Sequence, residues 1–322
     1  MFRLETGAPL KGVRLIKNKE FLSKFGLRAG DDADFTALLY NDDDEIMATG
    51  SLCGNVLKYI AVDDRAQGEG ACASIVSQLV THAFGEGKKH LFLFTKPKNE
   101  DMFKALSFYR LVSTADVLMM ENTRHGLDKF LDSLPRCEGT AGALVCNCNP
   151  FTNGHLYLME TAAKQVDCLH VFVLSEDRSM FPAEDRYSLV KRGTEHIKNV
   201  FVHRSEDYLI SSATFPTYFL KETADAAEIN ADLDLTLFAK RIAPRLGITK
   251  RFVGTEPFCP VTNAYNERMK LILPQNGVEV VEIPRLDNIS ASEVRRLMVE
   301  RNYEAVRKIV PKVTYEHIMG IK

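Results

Sequence analysis

Beyond residue 140 the chain alternates between two kinds of segment. Apolar runs at 143–148, 169–174, 200–203, 251–254 and 278–283 are set among stretches of helical spacing at 153–166, 183–197, 262–272 and 291–300. The early runs are continuously apolar, as parallel strands covered on both faces must be. Strands alternating with helices predict an α/β fold, here a doubly wound parallel sheet of the Rossmann-like kind.

Before residue 125 the pattern differs. Runs at 35–40, 46–53 and 56–62 read as a mostly antiparallel sheet, followed by a helix over 69–85, a strand at 90–95 and a helix from Glu100. The acidic run Asp42-Asp43-Asp44-Glu45 between the first two is read as a solvated hairpin turn. Length supports the division, because 322 residues suit two domains of about 150 residues each. The expected arrangement is an α+β domain over 1–125, a linker over 126–139 with Leu127, Phe130, Leu131 and Leu134 on one helix face, and an α/β domain over 140–322.

Composition excludes several classes of function. With 41 basic against 43 acidic residues, the chain lacks the basic excess of a nucleic-acid binder, so no nucleic-acid partner is expected. No uncharged apolar stretch is long enough for a membrane span, and the N-terminus has no signal-peptide core. Seven scattered cysteines suit a reducing compartment and apolar packing better than a disulfide framework. A cytoplasmic protein is expected.

Two segments of the second domain carry chemistry. Asn149-Pro150-Phe151-Thr152-Asn153-Gly154-His155 lies where the first strand ends and a helix begins, which is where open α/β sheets bind ligands. Free N–H groups and the helix dipole favour an anion there. Gly154 admits a phosphate close to the backbone, His155 can donate to a phosphate oxygen, and Thr152 can cap the helix or touch phosphate. A capped helix start with a surface histidine reads equally well from these residues alone. The second segment, Ile289-Ser290-Ala291-Ser292-Glu293-Val294-Arg295, has the S-x-x-E spacing of a capping box. It also sets Ser290, Ser292, helix N–H groups and Arg295 together, which suits a triphosphate tail.

Thr152-x-Gly154-His155 with the 289–295 segment resembles the (H/T)xGH and ISSTxxR motifs of the nucleotidyltransferase superfamily, although here the second motif reads ISASEVR. A longer likeness runs through 147–155 (NCNPFTNGH), 181–189 (FPAEDRYSL), 210–219 (ISSATFPTYF) and 251–258 (RFVGTEPF). Together these resemble the [citrate (pro-3S)-lyase] ligase family. That resemblance implies an enzyme, an AMP-forming acid–thiol ligase. It would use ATP, with Mg²⁺ on the phosphates, to acetylate the thiol of the prosthetic group on the citrate lyase acyl-carrier subunit. That group derives from dephospho-coenzyme A, and acetate is the acid. Catalytic roles then fall on Thr152, His155 and Arg295. The ATP site would comprise Asn149, Phe151, Thr152, Gly154, His155, Gly254, Thr255, Glu256, Ser290, Ser292 and Arg295, with Glu256 a candidate for ribose. Arg178, Arg186 and Lys221 are weaker candidates for phosphate or acetate, and no protein metal ligand is assigned.

The first domain has its own phosphate loop. Arg65-Ala66-Gln67-Gly68-Glu69-Gly70 follows a strand and opens a helix, and it resembles the pyrophosphate loop of GNAT-type N-acetyltransferases. Asn99, Phe108 and Tyr109 resemble that family's acyl-thioester helix. Glycines there expose consecutive N–H groups to a pyrophosphate. The 56–62 strand holds no Glu, Asp or His to act as a base, so Arg65, Gln67, Gly68 and Gly70 are read as docking a coenzyme A-like arm. Two other classes stay open: a nucleotidyltransferase joining ATP to a phosphorylated vitamin precursor, and a GNAT acetyltransferase.

Overall fold

The computed structural model describes residues 2–28, 30–175, 179–209, 226–257, 259–287 and 289–320. They group into two compact units divided between Gly126 and Leu127, with 226–229 counted in the first. Arg178, Lys221, Phe258 and the 210–219 segment lie outside the described residues.

The first unit is built on seven strands: β1 (Arg3–Gly7), β2 (Phe35–Tyr40), β3 (Ile46–Cys53), β4 (Val56–Val62), β5 (Phe92–Thr95), β6 (Tyr109–Ser113) and β7 (Leu118–Glu121). Their order is β1-β2-β3-β4-β5-β7-β6. Only β4 with β5 is parallel, and the crossover between them carries α2 (Ala71–Gly85), after α1 (Gly12–Lys24) between β1 and β2. Gly50 of β3 lets α2 sit down on the sheet, since a Cβ there would stand 2.5 Å from Ile75 Cγ2. Leu52, Leu57, Ile75, Leu79 and Leu93 fill the core beneath it. The acidic run is the expected turn, with Asn41 Oδ1 accepting from the N–H groups of Asp43 and Glu45.

The helix from Glu100 is shorter than its resemblance suggested. α3 (Glu100–Ala105) ends there, and Ser107, with a φ of +65, turns the chain. Tyr109 therefore opens strand β6, and Asn99, Phe108 and Tyr109 do not share one helix.

The second unit opens with α4 (Gly126–Asp132) and continues through β8 (Ala141–Cys146), α5 (Asn153–Ala163), β9 (Cys168–Val173), α6 (Ala183–Gly193) and β10 (Val200–Arg204). After α7 (Ala226–Leu237), a π-helical turn at Phe238–Ile242 and α8 (Ala243–Leu246), it returns through β11 (Ile248–Gly254), α9 (Pro260–Ile272) and β12 (Glu279–Ile283). α10 (Ala291–Val299), α11 (Tyr303–Ile309) and α12 (Lys312–Gly320) complete it. The strands run parallel in the order β10-β9-β8-β11-β12. Strand order thus reverses between β8 and β11, which opens a crevice at their carboxyl ends.

The helix expected in the 126–139 stretch forms as α4, with Leu127 and Leu131 buried and Asp128 and Asp132 receiving Arg241 and Arg245. One expectation needs correction: the cysteines are not all unpaired packing residues. Cys137 and Cys168 form a disulfide, and of the five free thiols Cys259 is exposed. Spacing gave no sign of that pair, because the chain brings the two together only once β9 is seated beside β8. Among the described residues no helix is long and apolar enough to cross a membrane.

Candidate active site

A cleft of about 320 Å³ opens at the carboxyl ends of β8, β11 and β12, over the N-termini of α5 and α10. Its walls bring together Asn149, Thr152, Gly154 and His155 from the first segment, Gly254, Thr255 and Glu256 from the β11 end, and Ser290 and Arg295 from the last segment.

Thr152 is the N-cap of α5. Its Oγ1 accepts from His155 N–H at 3.3 Å, while His155 Nδ1 accepts from Thr152 N–H at 3.1 Å. Because Nδ1 receives that amide proton, the neutral ring carries its own proton on Nε2. Burial, then the charge of Arg285, hold the His155 pKa down at about 4. The imidazole is therefore a neutral donor at physiological pH. A Cβ on Gly154 would stand 3.4 Å from Ile289 O, so the two motif segments approach closely here.

At the second segment Ser290 caps α10, accepting from Glu293 N–H at 3.0 Å. The expected box is only half made, since Glu293 turns its carboxylate to Arg296 instead. Arg295 donates to Asn149 O and, at 3.1 Å, to Ser292 Oγ. The contact with Asn149 O ties the two motifs together across the strand ends. Ser292 supports Arg295 and is not among the cleft-lining side chains.

Several expected contacts are placed differently. Phe151 is wholly buried, its ring filling the space where Gly193 would carry a Cβ. It anchors the loop and cannot face a nucleotide. Asn149 spends its Oδ1 on Phe181 N–H at 3.0 Å. Arg186 is fully buried and offers nothing to acetate or phosphate: Nε donates to Phe181 O, and Nη1 donates to Asn147 O, Asn147 Oδ1 and Leu174 O. Glu256 is clasped by both Nη atoms of Arg285 at 3.1 and 3.2 Å and accepts from Cys259 N–H.

Arg285 itself lines the cleft and was missed in the sequence. The available signal was a cation two residues past a strand of the parallel sheet, the position that faces a ligand in such folds.

In the first unit the Gly-rich loop stands at the start of α2. Gly68 and Gly70 have φ of +83 and +77, with nothing within 4 Å of where a Cβ would stand, and Gly70 is the N-cap. Arg65 is held on Asp63 and Glu45, and Gln67 donates to Asp64. The cradle's free groups are thus backbone N–H rather than these two side chains.

These features define a parallel α/β domain with a cleft at its switch point, lined by two helix N-termini and two arginines, joined in one chain to a mixed-sheet domain. Residues 141–318 match the family described as the citrate lyase ligase C-terminal domain. The chain is 42% identical to the [citrate [pro-3S]-lyase] ligase of Klebsiella pneumoniae, covering 97% of this chain and 96% of that one. It is 40% identical to the Escherichia coli K12 protein of the same name, over 87% and 83% respectively. The chain belongs to the [citrate [pro-3S]-lyase] ligase family, which is a family of enzymes. Among solved structures, similarity extends to Thermotoga maritima TmcAL bound with alpha-thio ATP, at 18% identity, TM-score 0.35, and 56% and 55% of the two chains. It extends also to Escherichia coli ElaA, at 12% identity, TM-score 0.34, and 38% and 100%.

Proposed function

We propose that this chain activates citrate lyase by acetylating the thiol of the prosthetic group on its acyl-carrier subunit, consuming ATP and acetate. The observation that carries this reading is the cleft, where two capped helix N-termini and two arginines converge over the sheet's switch point. In the first step an acetate oxygen attacks the α-phosphorus of ATP in line. The new P–O bond forms as the bond to pyrophosphate breaks, leaving acetyl-adenylate. In the second, the carrier thiol loses its proton and attacks the acetyl carbonyl, so a thioester forms and AMP departs.

Positioning and charge stabilisation carry most of such a phosphorus displacement. His155 Nε2–H, the α5 and α10 N–H groups, Arg295 and Arg285 meet the charge that develops on the phosphate oxygens. Thr152 fixes the histidine tautomer, and Ser292 and Asn149 O hold Arg295 in place. Gly254 and Thr255 form the floor on which the nucleoside rests, while Glu256 aims Arg285 rather than binding ribose. No group of three or more His, Cys, Asp or Glu side chains lies together as a metal site among the described residues. Mg²⁺ would come to the cleft on the ATP phosphates.

The Gly68–Gly70 loop receives the pyrophosphate of the carrier's dephospho-coenzyme A-derived arm, in the cytoplasm. Substituting Gly68 and Gly70 with bulky residues tests that division of labour. Acetate-dependent ATP–pyrophosphate exchange should persist while thiol acetylation weakens, and equal loss of both overturns it. Exchange that requires a phosphomonoester instead of acetate identifies a nucleotidyltransferase. Consumption of acetyl-coenzyme A without ATP identifies an acetyltransferase.

A further inference from the structure

Helix α1 buries one side against the first unit's sheet and leaves an unusual surface on the other. Asn18, Phe21 and Leu22 are buried, whereas Val13 and Ile16 are 67% and 57% exposed. Val13, Ile16, Lys17, Glu20 and Lys24 recur at helical spacing and form one solvent-facing stripe. Single exposed aliphatic residues are ordinary on a surface. Here two lie a turn apart, and cations follow them along the same stripe.

The charge is concentrated in this element. α1 carries Arg14, Lys17, Lys19 and Lys24 against Glu20, in a chain whose whole net charge is −2. Arg14 reaches Glu5, and Lys19 holds Asp31 at 2.7 Å. Among the described residues no carboxylate lies within ion-pair distance of Lys17 or Lys24. An apolar centre beside unpaired cations suits a protein surface that is acidic around an apolar side chain.

Position says whose surface that is. Arg65, at the start of the Gly-rich loop, is held by Glu45 and Asp63. Hydrogen bonds from Arg65 hold both carboxyls below the usual carboxylate range, and the charge of Lys24 adds to the effect. The stripe therefore runs from Val13 toward the arm-docking loop, over about 17 Å at 1.5 Å per residue. A prosthetic arm is covalently fixed to its carrier, so a carrier whose pyrophosphate rests on that loop has its own surface close by. Other occupants fit less well. Two aliphatic side chains are a small part of the roughly 800 Å² per partner of a stable interface between copies, and a two-fold axis there would set like charges together. A helix lying in a membrane needs its apolar face free, and α1 spends that face on the core through Phe21 and Leu22.

We propose that the solvent face of α1 is the docking surface for the acyl-carrier subunit, and that it receives an acidic patch of that subunit with an apolar side chain at its centre. The inference rests on the ligase reading above. Val13 and Ile16 make the dry centre, and Lys17 and Lys24 make the charged rim. Carrier body and arm then engage the first unit at two places, each raising the effective concentration of the other.

The test uses the full-length chain with Lys17→Glu/Lys24→Glu, which reverses the rim, and Ile16→Ser, which removes part of the centre. Both leave the buried side of α1 untouched. Titration calorimetry with the purified acyl-carrier subunit, at low and at physiological salt, measures binding without catalysis. The double variant should bind about 10- to 50-fold more weakly than wild type at low salt, because two exposed attractions become repulsions. That gap should narrow as salt is added. Ile16→Ser should weaken binding about 3- to 10-fold at either salt concentration. Acetate-dependent ATP–pyrophosphate exchange, which needs no carrier, should be equal in all three proteins. Carrier affinity unchanged in both variants overturns the proposal. So does a wild-type dimer that Ile16→Ser dissociates, or binding to phosphatidylglycerol vesicles that the double variant abolishes. A wild type that binds the carrier through this face but shows no acetate-dependent exchange refutes the ligase reading and leaves the docking surface standing.

Discussion

Replacing Arg186 with Met tests whether one buried cation organises the cleft from behind. The substitution keeps the bulk of the aliphatic stem and removes donors to Phe181 O, Asn147 O, Asn147 Oδ1 and Leu174 O, at 2.6 to 3.0 Å. Three of these acceptors are backbone carbonyls. Leaving each without a donor costs about 1–3 kcal/mol when no water replaces it. The summed loss is smaller, because the cost of burying the guanidinium is recovered at the same time. Removing one member of a buried charged network typically costs about 3–5 kcal/mol. For a unit of this size that corresponds to a melting-temperature drop of roughly 6–20 °C. Thermal unfolding followed by circular dichroism measures it directly, and ATP titration reports the local consequence. Asn147 begins the loop that ends at His155, so nucleotide affinity should fall together with stability, and Arg186→Lys should recover only part of each. A variant within about 1 kcal/mol of wild type, with unchanged ATP affinity, would refute the reasoning.

Two further outcomes follow from the same geometry. Arg285→Ala should weaken ATP binding about 10- to 100-fold, because a charge-assisted contact to phosphate is lost; it should also raise the His155 pKa, readable by NMR, since Arg285 helps hold it at about 4. His170 and His203 pair at 2.9 Å in the sheet, with burial pressing their pKa values to about 4 and about 3. Both are depressed below the unfolded value of 6.5, so only the unfolded chain takes up these protons as pH falls below 6.5. Stability is therefore full above that pH and is lost toward pH 4, by up to about 1.4 kcal/mol per histidine per pH unit. Urea unfolding between pH 7 and 4 should show a shallower decline in His203→Gln, and an unchanged slope would count against the assignment.

Much of the second unit was legible because its signals are local. Apolar runs, continuous in the early ones, marked the five parallel strands, and Thr152 and Ser290 marked the starts of α5 and α10 by capping chemistry alone. The elements that escaped lack such marks. β1 alternates only weakly, and Lys11, the N-cap of α1, makes no side-chain cap. The site divided along the same line. Thr152, His155 and Arg295 stood out because a motif frames each, whereas Arg285 and Arg186 depend on partners far along the chain, Glu256 and Asn147, 29 and 39 residues away. Phe151 misled for a related reason: adjacency to the motif suggested a ligand contact, but only the fold reveals the slot at Gly193.

The loop from Asn147 to His155 is fastened at nearly every step: Asn147 to Arg186, Asn149 to Phe181 and Arg295, Phe151 in its slot, and Thr152 and His155 to each other. Its ordering entropy is therefore settled when the protein folds and is not charged again at each encounter with a nucleotide. Association at this loop should behave as docking to a rigid surface, with a rate set by diffusion and orientation rather than by a closing motion.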